Sequence, residues 1–176
     1  MYSIVATQPG DISVLQKKEF EISEILPNQV LIKNHSIGVN FIDIYFRKGL
    51  YPWPQENNLV LGSEGAGIIE AVGSDVVNLR VGDRVAYAQA NNAYATHRIL
   101  DANLVVRVPD AISFDQAAAA MLKELTHDAG CFSLVDCLPR LNWKVVKYGT
   151  SCNALQPFNT NIFHFESGSL NRQSNY

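Results

Sequence analysis

Apolar and polar residues alternate through most of the first 110 positions, and turn-forming clusters interrupt the alternation at short intervals. Tyr2 to Thr7 alternates and then meets Gln8-Pro9-Gly10-Asp11, a turn-rich cluster. Val14 to Phe20 and Gln29 to Ser36 follow as strands. In the second of these, Val30, Ile32 and partly Asn34 lie opposite Leu31, Lys33 and His35, a pattern with one wet face. Gly67 to Val72, Arg84 to Ala88, Ala93 to Leu100 and Leu104 to Val108 read as further strands, with turns at Gly73-Ser74-Asp75 and Val81-Gly82-Asp83. Many short strands with glycine turns predict a closed or partly open β-barrel rather than a parallel α/β sheet.

Two helices interrupt the strands. Asn40 can cap a helix whose N3 residue is Asp43, and Gly49 stands where a left-handed C-terminal cap would fall, which limits that helix to about two turns. Ser113-Phe114-Asp115-Gln116 is a capping box, and alanine propensity carries the helix it opens to about Leu125.

Beyond Thr126 the pattern changes. Pro139 and Pro157, with Asn153, Asn159, Asn161, Asn171 and Asn175, break up any long periodic element. Lys144 to Tyr148 reads as a buried strand and Asn159 to Phe165 as a weaker one, and the last seven residues are polar and expected to fray. The chain therefore divides into a domain over residues 1–125 and a loosely ordered segment over residues 126–176.

Composition narrows the function classes. With 47% hydrophobic and 18% charged residues, the chain can bury one good core and part of a second. A formal net charge of −3 provides no field suited to a phosphate backbone or an anionic membrane, so neither nucleic acid nor a membrane is an expected partner. No basic region precedes a long apolar run at the N-terminus, so neither a signal peptide nor a transmembrane segment is expected, and the default location is cytoplasmic. Cys131, Cys137 and Cys152 are odd in number and lack close pairing, as free thiols in a reducing compartment do.

Gly65-Ala66-Gly67 matches the first two glycines of the dinucleotide fingerprint G-x-G-x-x-G, but Glu70 holds the third position. The fingerprint works because a helix opens after the glycines and turns its amides to the pyrophosphate. Here Ile68-Ile69-Glu70-Ala71-Val72 continues as a strand into the Gly73 turn, so the glycines read as positions where a barrel strand bends and packs closely. No other G-x-G-x-x-G and no P-loop occur. His35, His97, His127 and His164 lack ligand spacing, and Glu64 is expected to form a structural ion pair with Arg84 or Arg47.

Three segments carry a family resemblance: Asn40-Phe41-Ile42-Asp43-Ile44-Tyr45-Phe46-Arg47-Lys48-Gly49-Leu50-Tyr51, Leu61-Gly62-Ser63-Glu64-Gly65-Ala66-Gly67, and Val81-Gly82-Asp83-Arg84-Val85. Together they resemble the zinc-independent quinone oxidoreductases (NADPH:quinone reductases, zeta-crystallin-like) of the medium-chain dehydrogenase/reductase superfamily. The resemblance implies a mainly β fold with short helices: a GroES-like, partly open β-barrel forming the substrate side, followed by an incomplete α/β remnant of the cofactor-binding domain. It also implies hydride transfer from NADP(H) to a quinone, with Asn40, Tyr45 and Tyr51 as the cleft wall and Asn40 and Tyr45 also facing the cofactor.

Hydride arriving at a quinone places negative charge on oxygen, to which the Asn40 amide or the Tyr45 and Tyr51 hydroxyls can donate, while the aromatic faces flank a flat ring. By residue type alone, Asn40 reads first as a helix cap, Tyr45 as a core residue, and Tyr51 beside Pro52-Trp53-Pro54 as a loop anchor.

Zinc-dependent relatives place cysteine where this chain has Asn40 and histidine where it has Ser63; an amide and a hydroxyl are not a tight zinc-ligand pair, so no metal is expected. In the tail, Leu134 to Leu138, Val145 to Gly149, Pro157 to Asn159 and Gly168 to Leu170 resemble, in order, a late stretch of the same enzymes. That implies the absence of about a hundred residues near Thr126 to Phe132, a domain-sized portion holding the phosphate-binding turn. Two expectations follow: a quinone oxidoreductase by descent with impaired hydride transfer, or a non-catalytic truncated remnant or binding module. Unpaired strand edges make self-association possible in either case.

Overall fold

The computed structural model describes residues 1–127, 162–166 and 169–172, and side chains as far as residue 122. Its organising strand is β3 (Gln29–Gly38), where Val30, Ile32, Asn34 and Ser36 turn inward while Lys33 and His35 face solvent. This is the alternation expected of a strand with one buried face. On one edge β3 pairs along nearly its whole length with β5 (Glu64–Val72), with irregularities between Leu31 and Ile32 and between Asn34 and Ser36 that bend the sheet. On the other edge β7 (His97–Asp101) covers Gln29 to Lys33. Beyond β5 lie β6 (Arg84–Ala88) and β8 (Val105–Arg107).

A smaller sheet sets β1 (Tyr2–Ala6) between β2 (Leu15–Glu19) and β4 (Leu59–Val60). The barrel core holds Val30, Ile32, Ile69, Val85, Tyr87, Leu100 and Val105, each buried aliphatic side chain contributing roughly 1.5–3 kcal/mol relative to exposure. The polar groups inside it are satisfied in part by a short chain of bonds: the Tyr87 hydroxyl donates to Asn34 Oδ1 at 2.9 Å, and Asn34 Nδ2 donates to the Ala95 carbonyl at 2.8 Å.

Both expected helices form. α1 (Phe41–Arg47) begins after Asn40 and is stopped by Gly49, whose φ of +73° only glycine adopts without strain. α2 (Phe114–His127) opens on the Ser113 capping box, with the Gln116 N–H donating to Ser113 Oγ and the Ser113 N–H to Gln116 Oε1. Its small residues Ala117 and Ala118, with Met121, lie against Ala66, Ala86, Val108 and Ile112, so the helix axis comes close to the sheet.

Several boundaries differ from the sequence reading. Asp11 caps a 3₁₀ turn over Ile12–Val14, so β2 starts at Leu15 rather than Val14. The strand expected from Ala93 starts only at His97. Asn91 and Asn92 have positive φ, and the N–H groups of Asn92, Ala93 and Tyr94 donate to the carbonyls of Val60, Gly62 and Leu61. β5 begins at Glu64 rather than Gly67 because Glu64 to Ala66 pair with β6 on one side and β3 on the other.

In the tail, β9 (Ile162–Glu166) overlaps the expected weaker strand and pairs with β3 at Ser36 to Gly38, the part of that edge β7 leaves open. β10 (Ser169–Arg172) pairs with β9, so Leu170 to Arg172, expected to fray, belong to a strand. The strand expected at Lys144 to Tyr148, the three cysteines and the proposed break near Thr126 to Phe132 lie wholly or largely outside the described residues.

Candidate functional site

The site gathers where β3 ends, α1 begins and β5 begins. Asn40 is drawn into position from two directions. Its backbone N–H donates to Asp43 Oδ2 at 2.9 Å, and its side-chain Nδ2 donates to Glu64 Oε1 at 2.7 Å. Glu64 is 1% exposed, and its second oxygen, Oε2, accepts the backbone N–H of Leu122 in α2 at 2.7 Å. One carboxylate thus joins the start of α1 to the interior of α2. Of the two arginines expected to pair with Glu64, Arg84 and Arg47, the first has other partners. Arg84 donates to the Pro109 and Ile112 carbonyls, lies over the Phe114 ring, and pairs with Asp110 at 3.6 Å.

Asp43 is the second buried acid, 3% exposed, and it accepts from Ser63 Oγ at 3.1 Å and from the Tyr94 hydroxyl at 2.9 Å as well as from Asn40. Burial holds its carboxyl above the ordinary carboxylate range, against the opposing pull of these hydrogen bonds. The consequence for stability has a definite sign. The folded protein binds this proton more tightly than the unfolded chain does, so stability from Asp43 is greatest below the unfolded value and falls as pH rises through the folded one. Relative to Asp43→Asn, the wild type is expected to lose urea resistance as pH is raised from about 4. Parallel curves of urea midpoint against pH for the two proteins would contradict this.

Past the first turn of α1 the surface becomes aromatic. The Tyr45 and Tyr51 rings meet edge to face with centroids 5.7 Å apart, and Phe46 meets Tyr51 at 5.4 Å. Tyr45 and Tyr51 are 40% and 43% exposed, and Phe41 and Leu50 beside them are more open still. Trp53 pins the following loop by donating its indole N–H to the Phe46 carbonyl at 2.6 Å. Tyr45 is therefore a half-exposed ring rather than a core one, and Tyr51 both anchors the loop and shows a face to solvent.

Gly65 and Gly67 lie inside β5, with β3 and β6 paired on its two sides. A Cβ at Gly67 would stand 2.0 Å from the Lys33 carbonyl oxygen. These glycines serve close strand packing, and their surroundings do not fit a pyrophosphate. Asn40 and Ser63 act as hydrogen-bond donors to Glu64 and Asp43. Among the described residues no three His, Cys, Asp or Glu side chains are grouped to share a metal ion. His97 is engaged by Glu70 at 3.1 Å, and His35 stacks on Phe114.

The sequence reading used Asp43 only as a helix-cap residue and left Tyr94 unremarked. A buried acid at N3 carries no signal distinct from an exposed one, because the donors that surround it come from 20 and 51 residues away.

Residues 26–110 match the alcohol dehydrogenase GroES-like domain. Over 118 residues the chain is 49% identical to a quinone oxidoreductase of Pseudomonas aeruginosa and 47% identical to quinone oxidoreductase 1 of Escherichia coli, covering 66% of this chain and 36% of each of those proteins. Over this N-terminal part the chain is homologous to the quinone oxidoreductases of the medium-chain dehydrogenase/reductase superfamily. The Escherichia coli quinone oxidoreductase solved as a complex with NADPH superposes with a TM-score of 0.69 at 44% identity, over 72% of this chain and 39% of that one. This quinone oxidoreductase homologue spans little more than a third of the length of these relatives. No helix among its described residues is long and apolar enough to cross a membrane.

Proposed function

We propose that α1 and the loop after it form the acceptor-facing wall of a quinone-reducing cleft, and that NADPH is the hydride donor of that reaction. The observation that carries this reading is the half-exposed pair of Tyr45, on the short helix that Asn40 begins, and Tyr51, in the loop after it. A reduced quinone develops charge on its oxygens. The remaining N–H of the Asn40 amide and the two tyrosine hydroxyls are donors suited to receive it, and the exposed rings offer a flat acceptor a stacking face.

NADPH, when bound, supplies the hydride. The described residues offer it an amide and an aromatic face but no cradle for its pyrophosphate. We read the wall as metal-free, since an amide and a hydroxyl already donating to carboxylates are poor zinc ligands, and the protein as cytoplasmic with its cysteines as thiols.

A second reading, a quinone-binding module without turnover, is favoured by one feature: no G-x-G-x-x-G occurs anywhere in these 176 residues. Hydride transfer needs the nicotinamide and the acceptor held near contact, which one wall does not do. The two readings separate in a titration of the 176-residue polypeptide with tetramethyl-1,4-benzoquinone, whose ring carbons are blocked against attack by thiols.

Saturable quenching of tyrosine and tryptophan fluorescence is expected, weakened about tenfold by Tyr45→Ala, a loss of about 1.4 kcal/mol. Quenching that rises linearly without saturation would remove the acceptor-wall assignment. Saturable binding of NADPH, or its oxidation by the quinone, would remove the module reading in favour of turnover.

A further inference from the structure

We propose that Glu64 is a positioning residue that links the orientation of Asn40 to the position of α2, so that the acceptor wall and this helix respond to one another. The inference rests on the reading of Asn40 as part of a quinone wall and extends it to a group that does not itself touch the quinone.

The geometry is specific. Asn40 Nδ2 and the Leu122 N–H each reach a different oxygen of the same carboxylate, both at 2.7 Å, and the carboxylate is almost wholly buried. Both bonds lie in a site screened from water, where hydrogen bonds are stronger than in solvent. Leu122 lies in the interior of α2, at a position whose ordinary acceptor is the carbonyl four residues back. A carboxylate reaching an interior helical N–H therefore fixes the helix at that turn. The other end of the tie is soft by comparison: Asn40 is partly exposed, and its side chain turns about two bonds. A shift of α2 relative to β5 is relayed through Glu64 to the Asn40 amide, and loss of the Asn40 bond lets the carboxylate, and with it Leu122, relax.

Amide hydrogen exchange on the 176-residue polypeptide tests the relay without any quinone. Asn40→Ala removes the side-chain donor but keeps the backbone N–H that holds Asp43. The Leu122 amide, which Asn40 does not contact, is expected to exchange three- to tenfold faster in this variant, while the core amide of Ile32 keeps its rate. Glu64→Gln, which retains a carbonyl oxygen for Leu122 but has an N–H₂ to set against Asn40, is expected to leave Leu122 exchange within about threefold of wild type and to shift the Asn40 side-chain amide resonances.

An unchanged Leu122 rate in Asn40→Ala overturns the relay, and so does equal acceleration at Ile32, which marks general loosening. Failure of the quinone reading shows separately, as wild-type protein that does not bind tetramethylbenzoquinone.

Discussion

Asp43→Ala is expected to cost about 3–5 kcal/mol of folding stability, the largest loss from any single polar side chain of the site. The carboxylate satisfies the Asn40 N–H, the Ser63 hydroxyl and the Tyr94 hydroxyl at once, and all three come from connecting segments far apart in the chain. Each donor left unpaired in a buried place costs roughly 1–3 kcal/mol, and the relief of desolvating an acid offsets part of the sum. Ser63→Ala and Tyr94→Phe remove one donor each and are expected to cost about 1 kcal/mol, with a shortfall from additivity when combined with Asp43→Ala. Urea unfolding measures all of these. A loss below about 1 kcal/mol for Asp43→Ala would mean that the donors find other acceptors and that the acid does not organise the junction.

Gly67→Ala is expected to destabilise the barrel by about 3 kcal/mol or more. The added carbon would meet the Lys33 carbonyl oxygen at 2.0 Å and the Asn34 Cα at 3.0 Å, both backbone atoms of β3, so relief requires opening the ladder between β3 and β5. Gly82→Ala provides the contrast. Nothing stands within 4 Å of its added carbon, and only its φ of +91° is unfavourable, which costs about 1 kcal/mol. Thermal or urea unfolding of the pair decides what Gly67 is for. A phosphate-cradling glycine would instead leave stability near wild type and remove nucleotide affinity.

The local chemistry of α1 was legible in the chain itself. Asn40, Asp43 and Gly49 define its start and stop, and Ser113 with Gln116 defines the start of α2, because caps act through neighbours three or four residues away. β6 was readable because its five residues follow a glycine turn closely, and its three central side chains are buried. The start of β7 was not. Ala93 to Thr96 has strand composition, yet Asn91 and Asn92 turn the chain so that neighbouring amides serve the carbonyls of residues 60–62, more than thirty positions earlier.

The sequence by itself determined the barrel class, the two caps, the family resemblance and the strand character of Gly67 to Val72, since each depends on local residue pattern or on contacts within a turn or two. Tertiary structure alone decided that Asp43 is buried, that Glu64 answers Asn40 and Leu122, and that β9 fills the open edge of β3. The physical reason is the range of the interactions. A buried carboxylate is defined by which donors surround it, and here those donors arrive from segments that only the closure of the sheet brings together.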